Sequence, residues 1–112
     1  MVMRPTTLVI TAAGTSQAVP LDNYVYGMAV AATNVTGSSK FTLQHTFTDP
    51  GIVNLNSAGA GIWFNHDDTT FVNASANVNS NYAFVPRASR VIVASGSTGF
   101  ELDVTFVPTV GV

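Results

Sequence analysis

Two histidines, six carboxylates and a single tryptophan are the residues with which this 112-residue chain could do chemistry. His45 and His66 would hold a metal only by converging with Asp67 or Asp68, as two imidazoles and a carboxylate. Neither an HxH nor an HxxxE spacing supports that site. The plainer reading makes His45 a core or interface histidine with one hydrogen bond, and His66-Asp67-Asp68 a solvated turn. Glu101 and Asp103 stand two apart in an alternating run, so they share a strand face. A glycosidase pair would need one of them in a cleft that raises its pKa. Their face reads as the exposed one, and an ordinary solvated strand is expected. Trp63 and Phe64, with Tyr24, Tyr26 and Tyr82, could stack on a sugar ring. Adjacent strand residues face opposite ways, so one of Trp63 and Phe64 is expected in the core and the other at the surface, in a subunit contact.

Other chemistries find fewer residues still. Two histidines and scattered serines argue no Ser-His-Asp set, and no Gly-rich segment joins a strand to a helix as a phosphate loop would require. Without cysteine there is no thiolate ligand, disulfide or cysteine nucleophile. Asn34-Val-Thr36 and Asn73-Ala-Ser75 match the glycosylation pattern, which reads as chance in a chain so rich in Asn, Thr and Ser. The expectation is a protein with no catalytic residue, no metal and no cofactor, and so not an enzyme.

Charged residues make up only 9% of the chain, against roughly 25% in an ordinary soluble domain. Four basic residues and a net charge of −2 give no footprint for nucleic acid. The polar surface must come from Thr, Ser and Asn, which protect poorly against self-association. An oligomer, dimer or trimer, or a component of a larger particle is expected. With charge so sparse, Arg4, Arg87 and Arg90 are each expected to meet a specific carboxylate, in the fold or on another subunit. No apolar run is long enough to cross a bilayer, so no membrane partner is expected. Met1–Pro5 lacks the apolar core and cleavage site of a secretory signal, so the expectation is a soluble chain made in a cytoplasm.

The elements that would position these residues are strands. Phe41–Pro50 is the clearest: Phe41, Leu43 and Phe47 alternate with Thr42, Gln44, Thr46 and Thr48, and Asp49-Pro50-Gly51 ends the run. Phe47 is expected on the core face, so Phe47→Asp should prevent folding and Thr46→Asp should be far milder. Residues 6–12 read as a first strand after a possible N-terminal arm, 1–5. Residues 13–17 read as a turn, and 18–21 as an edge strand or a crossing segment, because Pro20 cannot donate to a ladder. Over 24–33 the run of small residues makes a helix the competing reading, but Gly27 and the valines favour a strand; strands are also expected over 52–55 and 62–64. His66-Asp67-Asp68 breaks the last of these, residues 69–81 read as a long surface excursion with one weak strand at Phe71-Val72, and 82–85 re-enters the fold. The closing stretch reads as a hairpin, 89–94 and 100–106 joined by Ser95–Gly99. There Phe100, Leu102, Val104 and Phe106 face in, while Glu101 and Asp103 guard an edge. Seven to eight short strands without an amphipathic helix indicate an all-β, single-domain antiparallel β-sandwich over 1–112, wired as a jelly roll or Greek key.

The order of these features resembles a known group. It is carried by the Ala12–Asp22 segment AAGTSQAVPLD, the Phe41–Asp49 strand, Trp63-Phe64, and Pro86–Val93, PRASRVIV, running into the closing strands. The likeness, which spans nearly the whole chain, is to small tailed-bacteriophage virion proteins of the capsid decoration or cement type. It implies a β-sandwich present in many copies on the capsid surface, made in the host bacterial cytoplasm. The implied partners are the major capsid protein and further copies of the chain, with no nucleic acid. On that reading the protein–protein contacts are Met1, Val2, Met3, Arg4 and Pro5 of the arm, Trp63 and His66 of the 56–81 loops that a rigid sandwich would present, and Arg87 beyond them. A tail or head-fibre component and a carbohydrate-binding β-sandwich module are the alternatives.

Overall fold

The computed structural model describes residues 5–21, 27–82 and 84–109. Nine strands run through them: β1 Thr6–Ile10, β2 Gly14–Thr15, β3 Val19–Pro20, β4 Gly27–Thr36, β5 Phe41–Thr46, β6 Trp63–Asn65, β7 Val78–Tyr82, β8 Ala88–Val93 and β9 Glu101–Thr109. A single 3-10 turn, Thr69–Phe71, interrupts them. The strands form two antiparallel sheets. One has the order β1-β9-β4-β7; the other has β2-β8-β5-β6, with β3 also on β8. The all-β sandwich expected from the alternating runs is therefore present.

The core between the sheets is built from the inward positions of the strongest alternations. Met28, Val30 and Ala32 on β4, Phe41 and Leu43 on β5, Val91 and Val93 on β8, and Leu102, Val104 and Phe106 on β9 are all buried. Burying each larger side chain stabilises the fold by roughly 1.5–3 kcal/mol. β9 lies between β1 and β4 at the middle of its sheet. A bulge at Asn34/Thr36 interrupts the β4–β9 ladder, and the intervening Val35 is exposed.

Several expectations are corrected. The closing stretch is not a hairpin: β8 pairs with β5, β2 and β3, whereas β9 pairs with β1 and β4, so the 94–100 connection passes from one sheet to the other. Glu101 and Asp103 thus sit on a central strand and guard no edge. Residues 52–55 make turns rather than a strand, with Ile52 and Val53 N–H both donating to Asp49 O. The expected turn at 13–17 holds the two-residue β2. Pro20 does lie in a short strand with only one partner, opposite Ala88. The first half of the excursion belongs to the core, because Phe71 is fully buried and Ala74 exchanges both main-chain hydrogen bonds with Phe41. Its second half is β7, paired with β4. Tyr24, Tyr26 and Met1–Arg4 lie outside the described residues.

Phe47 is the most consequential correction. It keeps the face of Phe41, Leu43 and His45, yet it stands past the end of β5 and is 53% exposed. Thr46, on the opposite face, is fully buried. The Thr46 hydroxyl donates to Ile62 O at 2.6 Å and accepts from Thr48 N–H at 3.1 Å. The loop after β5 therefore covers the face that alternation had assigned to water.

Candidate functional site

β6 pairs with β5 in the register Thr46↔Trp63, His45↔Phe64 and Gln44↔Asn65, and it is the last strand of its sheet. Because side chains alternate along it, Trp63 and Phe64 project to opposite faces. Two distinct surfaces result.

On the Phe64 side lies an aromatic group. His45 is buried among Phe47, Phe64, Tyr82 and Phe84, with ring centroids 5.3–6.2 Å away. Phe47 lies 6.3 Å from Phe64 and 5.6 Å from Phe84. The three phenylalanines are about half exposed and neighbouring Ile62 is 71% exposed. Phe47, Thr48, Ile62 and Phe64 together line a shallow depression of about 360 Å³. Burial lowers the pKa of His45; Asp67 opposes this and His66 adds to it. His45 Nδ1 is buried without a hydrogen-bond partner, so the ring lacks the bond expected of it.

On the Trp63 side the register places Arg90 of β8 beside Gln44 of β5, which in turn faces Asn65. The Arg90 guanidinium lies over the Trp63 ring, 4.1 Å from its centroid. Its Nε–H donates to Gln44 Oε1 at 3.0 Å. Gln44 Nε2 donates to Asn65 Oδ1 at 3.0 Å, and Trp63 Nε1–H donates to Ala60 O at 2.9 Å. The 54–61 loop borders this group and leaves a cleft of about 680 Å³. Trp63 is half-buried and Phe64 half-exposed, so neither enters the core.

The remaining candidates are placed as follows. His66 is buried and both its ring nitrogens are engaged: Nδ1 accepts from Asp68 N–H at 2.9 Å, and Nε2 bonds Asn81 O at 3.0 Å. That pattern fixes the Nε2–H tautomer and leaves no lone pair for a metal. His66 is thus an internal brace rather than part of a solvated turn. Asp68 caps the 3-10 turn by accepting from Thr70 N–H and Oγ1–H, bonds that lower its pKa. No group of three or more metal-ligating side chains converges among the described residues. Tyr82 is buried against Ser89 Oγ at 3.1 Å, and burial raises its pKa, so it offers no stacking face.

Arg87 pairs with Asp49 at 2.9 Å on the surface, whereas Arg90 has no carboxylate in ion-pair range among the described residues. Pro5 is exposed just before β1. Asn34 of the first glycosylation pattern is tied down: its side chain donates to Ser75 O and accepts from Ser39 Oγ–H. The Asp103 carboxyl raises the pKa of Glu101 by a hydrogen bond and by like charge, on a face without a cleft. No family model, no curated protein and no solved structure matches this chain.

Proposed function

We propose that this chain is a structural virion protein of a tailed bacteriophage, a capsid decoration protein that binds the outer shell and stabilises contacts between major capsid proteins. The observation that carries the binding half of this reading is the exposed apolar surface of Phe47, Ile62, Phe64 and Phe84 beside the edge of β6 that no other described strand pairs. Contiguous apolar surface of this kind marks protein–protein contact. A strand edge adds main-chain donors and acceptors with which a partner strand can pair. The sparse charge of the rest of the surface suits a protein that works from a fixed seat in an assembly. The virion half rests on the family resemblance carried by Ala12–Asp22, Phe41–Asp49 and Pro86–Val93. Many copies, each held by one modest contact, would together clamp a shell through multivalency.

The test is copy number in purified particles, by quantitative mass spectrometry against the major shell protein, followed by rebinding of the recombinant protein to shells stripped of it. A ratio near one or a simple fraction of it is expected, with rebinding lost in Phe64→Ser/Phe84→Ser. A handful of copies per particle would move the protein to the tail or a vertex, and complete absence would end the virion reading.

A further inference from the structure

The cleft on the opposite face of β6 from the aromatic surface contains a cation prepared for an anion that none of the described residues supplies. Arg90 is held on both sides, by Trp63 beneath its plane and by Gln44 Oε1 on Nε. Those contacts leave its two terminal nitrogens free as a parallel pair of donors, the geometry that grips a carboxylate through two bonds. Its neighbours are themselves fixed, Gln44 by Asn65 and Trp63 by Ala60 O. The guanidinium is therefore rigid before any ligand arrives, which lowers the entropic cost of binding. Burial disfavours the charged form of Arg90, and an anionic ligand would offset that cost.

We infer that this cleft, lined by Thr15, Gln44, Asn56, Ser57, Trp63 and Arg90, binds an acidic sugar, with the sugar carboxylate on Arg90. The hydroxyl and amide lining matches the hydroxyls of a saccharide. The volume, about 680 Å³, falls in the range of small-molecule sites, about 300–1,000 Å³. An acidic segment of a protein partner would share the carboxylate but would gain little from so polar a wall. The apolar surface suited to a protein lies on the other side of the strand. This inference does not depend on the shell-binding proposal, since it uses the opposite face.

Trp63 is the sole tryptophan, so its emission reports directly on the cleft. Purified protein would be titrated at neutral pH with glucuronate, glucose, acetate and an oligo-aspartate peptide. A saturable emission change with glucuronate is expected at concentrations where glucose and acetate produce none. Arg90→Gln should weaken it by about tenfold or more, and Arg90→Lys, which keeps the charge but loses the fork, by less. Should Arg90→Gln not fold by circular dichroism, an amide and guanidinium NMR titration of the unmodified chain must place the shifts at Gln44, Trp63 and Arg90. No saturable change, an equal response to acetate, or shifts located elsewhere would overturn the inference. Tighter binding of the acidic peptide would also overturn it, making Arg90 a protein contact.

Discussion

At the residue scale, His45 couples this fold to pH. Burial holds its imidazole below the ordinary value, with Asp67 opposing and His66 adding to the effect. The unfolded chain therefore binds a proton more readily than the folded one at mildly acidic pH. The contribution of neutral His45 is complete above the unfolded value of about 6.5 and is lost as pH falls from there through the lowered folded value. Thermal melts should show stability decreasing from pH 7 towards pH 5. His45→Phe, which removes an unpartnered buried nitrogen, should flatten that slope; an unchanged slope would place the sensitivity elsewhere. The Thr46 and Phe47 pair gives a second residue-scale prediction. Thr46→Asp places a charge at a fully buried site and breaks a 2.6 Å bond to Ile62 O, so a loss of about 3 kcal/mol or more is expected. Phe47→Asp, at a half-exposed site, should cost about 1–2 kcal/mol by urea denaturation. The reverse order would contradict the arrangement of the loop over β5.

At the element scale, the two crossings that end β4 and begin β9 meet through glycines. Gly37 has φ +63°, and a Cβ there would lie 2.7 Å from Gly99 O. Gly37→Ala must both strain the backbone and push apart two connections, at a cost of about 2–4 kcal/mol. Gly96, with φ +93° and open space around it, should cost only about 1 kcal/mol as Gly96→Ala, the conformational penalty alone. Comparable losses in both variants would show that the contact between the turns does not matter. The sheet to which each strand belongs was not legible beforehand. The spacing of β8 and β9 suited a hairpin, but both carry a strong apolar face, and each can bury it fully by joining a different sheet across one core. β7, VNSNY, escaped notice because a polar edge strand shows no apolar alternation apart from Val78 and Tyr82.

At the scale of the whole molecule, β6 divides two surfaces of different character, an apolar one around Phe64 and a polar cleft under Trp63. Since the apolar surface carries no formal charge, attachment through it should barely change between ~0.05 and ~0.5 M salt, where surface ion pairs are screened. Sedimentation of the protein with shells across that range would measure it. A steep loss with salt would shift the contact to Arg87 and its surroundings.

The sequence alone determined the strand character of β5, β8 and β9 and the inward faces of β5 and β9, because side-chain alternation is a local property of extended backbone and apolar residues repeat at that period. It also kept Pro20 out of a central strand, because its missing N–H is local as well. Only the tertiary structure decided what covers each face. Alternation put Phe47 on the same side as Leu43 but could not tell that the opposing sheet ends before it, nor that a loop sixteen residues on would bury Thr46. The same holds for Phe71, one apolar residue in a polar stretch, and for Arg90 over Trp63, a contact made across the intervening β5. Such contacts depend on strand order and register, which are set by the packing of the whole core rather than by any segment of the chain.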